Sequence, residues 1–297
     1  MIRIPRDQLT YAFSPDVAPV ATIASGERVI FETYDTSTGR LNEPGDLAEF
    51  LRVRDPQKVN PAAGPVYVDG AEPGDELIVE ISAIHLAQRG WVRVIPGSGV
   101  LQTGIDSHGI VFVQVDGHEL VYGDRLRFLA RPMIGVIGTS PADGVVYTFE
   151  PGPQGSNIDL NAITIGARVH LPVCVPGALL ALGDVHAAMG DGEVSGTGVE
   201  INAEATVRVE LVKGNAPSRL WIESGDNWIS SGQGATLEAA VEMAVEELCG
   251  LLTTGLGLNR TDAFLLISAR GDVRIGQCAR IPGLDATAYV SFPRLNL

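Results

Sequence analysis

Cysteine is scarce in this sequence, and its three cysteines form no close pair. Cys174, Cys249 and Cys278 are far apart along the 297 residues, and no CxxC motif occurs. An odd number of widely spaced cysteines argues against a disulfide framework and against a thiolate zinc cluster. We therefore expect reduced, buried thiols and a cytoplasmic protein.

Long apolar runs and basic clusters are also absent. No window approaches the ~18 apolar residues that a membrane-spanning helix requires, and the N-terminal "MIRIPRDQLTYAF" lacks the order of a signal peptide. The formal net charge is −15, so the surface is expected to repel phosphate backbones. We therefore expect neither a membrane nor a nucleic acid as partner.

Apolar residues are plentiful, at 45% of the chain, and turn residues divide them into short runs such as "ERVIFETYD" and "GIVFVQVDG". These runs are typical of strands. Two later segments, "TLEAAVEMAVEELCGLLTTGLG" and "RTDAFLLISARGD", have a helical pattern, and Thr261 is the expected N-cap of the second.

These patterns predict an α+β protein that is mainly β, with β-sandwich or barrel-like sheets and a smaller C-terminal α/β part. We expect residues 1–215 to form the mainly β region that carries the site motifs. Residues 216–297 then pack on it, either as a separate part or within one integrated domain.

One glycine-rich stretch, "GDVHAAMGDGEVSGTGVE", concentrates carboxylates around a histidine. Asp184 and His186 are two residues apart, so an extended backbone places both side chains on one face. Asp191 and Glu193 repeat this spacing, and a turn between the pairs would fold the second pair toward the first. The stretch therefore predicts three carboxylates and an imidazole within a few ångströms.

Electrostatics favours a bound cation in this stretch. No Lys or Arg lies between Arg168 and Arg208, and buried carboxylates without a partner are costly. Aspartate oxygens and a neutral imidazole are standard ligands of zinc and related metals. The alternative is a solvated loop in which "DG" and "GDG" only form turns, but a strand-like segment, "EINAEATVRVEL", follows directly.

Two weaker polar clusters lie elsewhere in the sequence. "GSNIDL" places Asn157 and Asp159 two residues apart, and "FETYDTSTGR" places Glu32 and Asp35 at the end of an apolar strand. Taken alone, the first is explained by an Asx-turn and the second by an acidic strand end.

Together these motifs resemble the acetamidase/formamidase family over nearly the whole chain. "GPVYVDGAEPGDEL", "GSNIDL", "GDVHAAMGDGE" and the tail "RTDAFLLISARGDVRIGQ" are each similar to a family motif, in the same order. Two positions depart from the family pattern: Met189 replaces a common Gln, and Ser156 replaces the second Gly of "GGN".

The resemblance implies hydrolysis of short linear carboxamides, such as formamide and acetamide, to carboxylate and ammonia. It also implies a divalent metal, Zn²⁺ before Ca²⁺, and a homodimer or higher homo-oligomer. The expected metal ligands come from Asp35, Asp184, His186 and Asp191. Glu193 is the expected proton carrier, with Asp191 as the second catalytic group, and the residues expected to bind substrate or support the ligands are Glu32, Asn157, Asp159 and Met189.

Two alternatives remain open at this stage. A diverged family member could hydrolyse another small amide or an ester. A non-catalytic β protein could instead hold a structural metal or a small ligand, and a closed metal coordination shell would favour it.

Overall fold

The structure is a computed structural model and describes residues 1–295. Most of the chain is strand, as the short apolar runs predict. The strands of the first half, in chain order, are β1 (Ile2–Ile4), β2 (Leu9–Thr10), β3 (Ala12–Phe13), β4 (Ala21–Ile23), β5 (Arg28–Thr33), β6 (Ala62–Val68), β7 (Glu76–Val94), β8 (Gly109–Asp116), β9 (Glu119–Tyr122), β10 (Leu126–Leu129) and β11 (Met133–Gly138).

The second half adds shorter strands around the site and ends in an α/β part. Its strands are β12 (Val146–Tyr147), β13 (Pro151–Gly152), β14 (Gly155–Asn157), β15 (Arg168–Pro172), β16 (Leu180–His186), β17 (Glu200–Val212), β18 (Trp221–Ser224), β19 (Asn227–Gly234), β20 (Asp272–Ile275) and β21 (Ala286–Pro293). The helices are α1 (Asp46–Val53), α2 (Leu237–Leu256) and α3 (Arg260–Arg270).

The two longest strands, β7 and β17, form the spine of a curled, largely antiparallel sheet. Along β17, buried and half-buried residues alternate, because successive side chains point to opposite faces of the sheet. Val207 and Val209 are fully buried on the inner face and join Val79 and Phe31 in the main hydrophobic core. The mainly β prediction is confirmed.

Strand β16 lies in the interior and carries the first part of the acidic stretch. All of its residues are buried. It pairs with β11 along one edge and with β6 along the other, and its last residue, His186, pairs with Glu200 at the start of β17. Polar side chains of β16 therefore point into the protein and not into solvent.

The two predicted helices are present, and one predicted cap is wrong. Thr236 caps α2, and its hydroxyl accepts from the backbone N–H of Ala239. Helix α3 begins at Arg260, two residues earlier than a Thr261 cap would require, because the Asn259 side chain accepts from the N–H of Asp262. Helix α1 was not predicted.

The predicted C-terminal part shares its sheet with the rest of the chain. Strand β18 pairs with β15, so that Arg168 is opposite Glu223. The division at residue 215 therefore stays a prediction. Within residues 1–295, no helix is long and apolar enough to cross a membrane.

Candidate active site

Five ionisable side chains meet in the interior, close to the junction of β16 and β17. Asp184 and His186 lie on β16, and Glu200 begins β17. Asp159 follows β14, and Glu193 lies in the loop that joins β16 to β17. None of the five is more than 8% exposed.

These side chains form two groups that share the imidazole of His186. In the first group, His186 Nε2 lies 3.2 Å from Glu200 Oε1 and 3.5 Å from Asp184 Oδ1. The second group adds Asp159 and Glu193, and in each group the potential ligand atoms lie within 4.8 Å of one another. Either group could supply three ligands to one cation.

Several of these atoms are buried without a hydrogen-bond partner. They are Asp159 Oδ1, Asp184 Oδ1, Glu200 Oε2 and both ring nitrogens of His186. A buried polar atom without a partner costs about 1–3 kcal/mol, and several in one place are exceptional in a native protein. A divalent cation would satisfy these lone pairs, so the donor set fits a metal of the zinc class.

The backbone of the site adopts a conformation that L-residues rarely occupy. Asp159, Asp184 and Glu193 have φ values of 49°, 54° and 42°, all in the left-handed region. Such residues cost about 1–3 kcal/mol each and cluster at functional sites. The surrounding sheet therefore holds these three carboxylates where a relaxed strand would not put them.

Burial and mutual repulsion change the proton affinity of the carboxylates. Burial, followed by the charge of Asp184, raises the pKa of Asp159 to about 7. The same two causes raise the pKa of Glu200 to about 8, although His186 opposes them. Burial and the charge of Asp159 raise the pKa of Glu193 well above its usual value.

The imidazole of His186 responds in the opposite sense to its surroundings. Burial lowers the pKa of His186, but the Glu200 and Asp184 carboxylates outweigh burial, and the net pKa is raised well above 6.5. A cation placed among these groups would compete with protons for the same lone pairs.

Two glycines allow the close approach of these side chains. A Cβ at Gly135 on β11 would lie 2.4 Å from Asp159 Oδ1 and 3.0 Å from Asp184 Oδ2. A Cβ at Gly198 would lie 2.7 Å from His186 Nδ1. The positions of Asp159, Asp184 and the His186 imidazole therefore depend on the absence of a side chain at each of these two glycines.

The four carboxylates of the site, which we call the acidic group, face a cavity of about 280 Å³. Asp159, Asp184, Glu193 and Glu200 form part of its wall. The amide side chains of Asn60, Asn157 and Gln277, two arginines and a rim of residues 281–284 form much of the remainder. A small molecule that enters this cavity can therefore reach the carboxylates.

Comparison with known proteins places this arrangement in a family. The model of the Acetamidase/Formamidase family matches residues 5–150 and 142–293. The chain belongs to the acetamidase/formamidase family.

Relatives and solved structures agree with this membership. An acetamidase from Mycolicibacterium smegmatis is 27% identical over an alignment of 265 residues, and the match covers 67% of this chain and 65% of the relative. The crystal structure of an acetamidase from Bacillus halodurans is 35% identical, with a TM-score of 0.91 over 98% of this chain and 97% of that chain. A protein from Thermoanaerobacter tengcongensis, described as a predicted acetamidase/formamidase, is 34% identical, with a TM-score of 0.92 over 98% and 95%.

The chain spans 63 to 65% of the length of the curated relatives that it matches. A gamma lactamase from Delftia acidovorans shares the fold at lower sequence identity, with a TM-score of 0.69 at 21% identity.

In this acetamidase/formamidase family member, four of the predicted site residues lie together. Asp184, His186, Glu193 and Asp159 belong to the two groups described above. Asn157 lines the same cavity, and its side-chain oxygen accepts a hydrogen bond of 3.1 Å from Asn60 Nδ2.

Asp191 does not lie with them, although the sequence places it two residues before Glu193. Its carboxylate forms an ion pair of 2.5 Å with Arg274 and accepts hydrogen bonds from Asn161 and Tyr289. The two-residue rule applies only to extended backbone, and the chain turns here, with Glu193 in the left-handed region. The structure therefore separates Asp191 from the ligand groups.

Three other predicted residues also lie outside both groups. Asp35 is buried, and its Oδ1 accepts from Ser37 and from the N–H of Gly39, so that it closes a turn. Glu32 pairs with Arg3 at 2.6 Å on the outer side of β5. Met189 is 4% exposed and lines a separate groove.

Glu200 was not among the predicted ligands, although it ends the quoted glycine-rich stretch. It lies seven residues after Glu193, and the antiparallel pairing with His186 brings it into the group. A carboxylate in the same glycine-rich stretch, at the first residue of the strand-like segment that follows, was the available signal. Gln277, whose Nε2 donates to Asp159 Oδ2 at 3.1 Å, comes from a distant segment and left no local signal.

Proposed function

We propose that the protein is a divalent-metal-dependent hydrolase of short linear carboxamides, which it converts to carboxylate and ammonia. One observation carries this proposal: the buried carboxylates and imidazole present unpartnered ligand atoms next to a cavity that a small neutral molecule can enter. Family membership supports the same reaction class.

The donor set favours zinc. Asp184, His186 and Glu200 would hold the ion, with Asp159 and Glu193 on the cavity side. An imidazole nitrogen suits zinc, whereas calcium is bound by oxygen ligands. When bound, such an ion supplies Lewis acidity, which polarises a carbonyl oxygen and lowers the pKa of water.

Glu193 is the proposed proton carrier. Its raised pKa suits a group that accepts a proton from the attacking water and later gives one to the leaving nitrogen. The water oxygen forms the new bond to the carbonyl carbon, the C–N bond breaks, and ammonia leaves with the transferred proton.

The neutral side chains of the cavity orient the substrate. Gln277 Nε2 donates to Asp159 Oδ2 and so fixes the Asp159 carboxylate near Glu193, the proposed proton carrier. The amides of Asn60 and Asn157 are linked to each other on the same wall. Amide groups of this kind can pair with both the N–H and the C=O of a primary carboxamide.

The test combines metal analysis with ammonia release. Purified protein is assayed on formamide, acetamide and propionamide, then after chelation, and again after addition of zinc or calcium. We expect about one ion per chain, loss of ammonia release on chelation and recovery with zinc. An ion that survives purification without any amide hydrolysis would favour the non-catalytic alternative, and hydrolysis that persists without metal would contradict the metal's role.

Assembly into a homo-oligomer is also part of the proposal. The edge strand β10 exposes Leu126, Phe128 and Leu129 to 63%, 39% and 66%, and exposed apolar edge strands are typical contact surfaces. Light scattering of the purified protein tests this, and a monomeric mass would contradict it.

A cytoplasmic location is the remaining proposal. Cys174, Cys249 and Cys278 are all free thiols in the structure, which supports a reducing compartment. Fractionation of the source cells tests the location.

A further inference from the structure

Two arginines enter the site cavity from elements that the acidic motifs do not include. Arg54 follows the last residue of α1, and Arg93 lies near the end of β7. Both line the cavity that holds the four carboxylates. The acidic stretch contains no signal for these arginines, because Arg93 lies 90 residues before Gly183 and Arg54 lies still earlier in the chain.

Neither guanidinium has a carboxylate partner. Within residues 1–295, no carboxylate oxygen lies within 4.0 Å of Arg54 or Arg93, whereas Arg3, Arg127 and Arg274 all pair with acids. The Nε of Arg93 is buried and has no hydrogen-bond partner. A buried N–H without an acceptor is costly, so the Nε of Arg93 favours an acceptor from outside the chain.

The two cations also influence each other. Burial, followed by the charge of Arg54, lowers the pKa of Arg93 to about 10, and burial lowers the pKa of Arg54. Arginine side chains stay protonated in proteins. Two positive charges therefore share the wall of one cavity, and guanidinium groups without a carboxylate partner favour an anionic ligand.

The cavity thus has two chemically different parts. Its acidic part binds a cation under the proposed function, and its basic part presents the guanidinium groups of Arg54 and Arg93. Arginine presents N–H groups in a planar fork that matches a carboxylate. At about 280 Å³ the cavity approaches the size of small-molecule sites, which leaves room for an acyl chain longer than acetyl.

We propose that the preferred substrate is a carboxamide that also carries a carboxylate, which binds Arg54 and Arg93 while the amide faces the acidic group. This inference rests on the proposed function and specifies its substrate class. The reaction is unchanged: water adds to the amide carbon, ammonia leaves, and the distal carboxylate takes no part in bond making.

Charge balance is the competing role for Arg93, and the two roles predict different kinetic results. Arg93 could serve only to balance the charges of Glu193 and Glu200, which act on it at long range. In that case its loss would impair neutral and anionic amides equally. A substrate-binding role changes the ratio between them.

The kinetic test compares succinamate with succinamide, which replaces the carboxylate by a neutral amide of the same shape. We expect kcat/KM to favour succinamate by about tenfold or more. Arg93→Gln and Arg54→Gln should each reduce this ratio by about tenfold. Arg125→Gln removes an exposed arginine outside the cavity and should keep the ratio. A wild-type ratio near one, or a ratio that neither cavity variant changes, would overturn the inference.

A binding measurement separates this inference from the proposed function. Calorimetry of the metal-loaded protein with succinate, which cannot be hydrolysed, should give a dissociation constant that rises about tenfold in Arg54→Gln but not in Arg125→Gln. If amides are not hydrolysed and succinate still binds in this way, the anion site stands and the reaction fails. Absence of succinate binding would overturn the anion site. Arg54 is only half-buried, so its variant keeps the test available if Arg93→Gln does not fold.

Discussion

The Cα of Gly135 faces the carboxylate of Asp159 so closely that a Cβ there would lie 2.4 Å from Asp159 Oδ1. The backbone N–H of Asp159 also donates to the carbonyl of Gly135 at 3.2 Å. Gly135 has no left-handed φ, so the space beside the carboxylate, and not the backbone conformation, requires glycine. Strand β11 therefore sets the position of the acidic group.

We predict that Gly135→Ala displaces Asp159 and Asp184 and lowers metal content and amide turnover together. Overpacking of this kind costs about 1–3 kcal/mol, so the variant should still fold. Gly190→Ala is the matched control, because open space surrounds its Cβ position and its φ is not left-handed. Metal analysis and ammonia release check the prediction, and full metal content in Gly135→Ala would contradict it.

The ligand set is tested by Glu200→Gln and Asp191→Asn. We expect Glu200→Gln to weaken metal binding by at least about tenfold, since it removes one of three charged or imidazole donors. Asp191→Asn should retain the metal, because Asp191 pairs with Arg274 outside the groups. Competitive titration with a chelator measures both affinities, and loss of metal in Asp191→Asn alone would restore Asp191 as a ligand.

The proposed role of Glu193 as proton carrier is tested by Glu193→Gln. Loss of a general acid–base group costs about a hundredfold or more in rate, and we expect that loss in kcat for acetamide while bound metal stays measurable. Glu43→Gln, on an exposed loop, serves as the control for the same chemical change. Wild-type turnover in Glu193→Gln would remove Glu193 from the chemistry.

Ser156, which replaces the second Gly of the family's "GGN" pattern, is tested by measurements of unfolding stability. Ser156 has a φ of 82°, and its hydroxyl donates to the carbonyl of Tyr147 at 3.1 Å. Ser156→Ala and Ser156→Gly both remove this hydrogen bond, but only glycine relieves the left-handed conformation. We expect Ser156→Gly to be more stable than Ser156→Ala by about 1 kcal/mol in denaturant unfolding. Equal stability of the two variants would show that the backbone there is unstrained.

A pH-dependent contribution to stability is expected from Asp75, far from the site. Burial raises the pKa of Asp75, but hydrogen bonds from Lys213 and from the N–H groups of Gly214 and Glu72 outweigh it, so that the net pKa lies below 3.8. A lowered folded-state pKa stabilises above the unfolded-state pKa, and this stabilisation disappears as the pH falls through the folded-state value.

We therefore expect Asp75→Asn to lower the free energy of unfolding by about 1–3 kcal/mol at pH 7. The difference from wild type should shrink below about pH 4. Asp69→Asn, an exposed position in the same connection, should have little effect at any pH. A difference for Asp75→Asn that stays constant down to pH 3 would contradict the ionic origin.

The sequence predicted those parts of the site that follow from local geometry. Asp184 and His186 lie two residues apart on one strand, so their side chains share one face of it. The turn after this strand then brings Glu193 back to them. The rule fails at Asp191, because the backbone there is a turn. Strand pairing brings Glu200 to the site. Arg54 and Arg93 arrive with helix α1 and strand β7, which are distant in sequence, so a local pattern does not predict them.

The same distinction applies to the fold. Alternating apolar runs predicted the strands, and a 3.6-residue period predicted helix α2. The cap of α3 was misplaced because Asn259 and Thr261 are both good capping residues, and only the observed hydrogen bond distinguishes them.

The left-handed backbone of Asp159, Asp184 and Glu193 also restricts how this centre can change or be copied. Asparagine, aspartate and glycine tolerate such dihedral angles, whereas β-branched residues do not. Few substitutions at these three positions are therefore compatible with the backbone. A designer who grafts only the side chains onto another scaffold would not reproduce the centre. The backbone path must be transplanted with them.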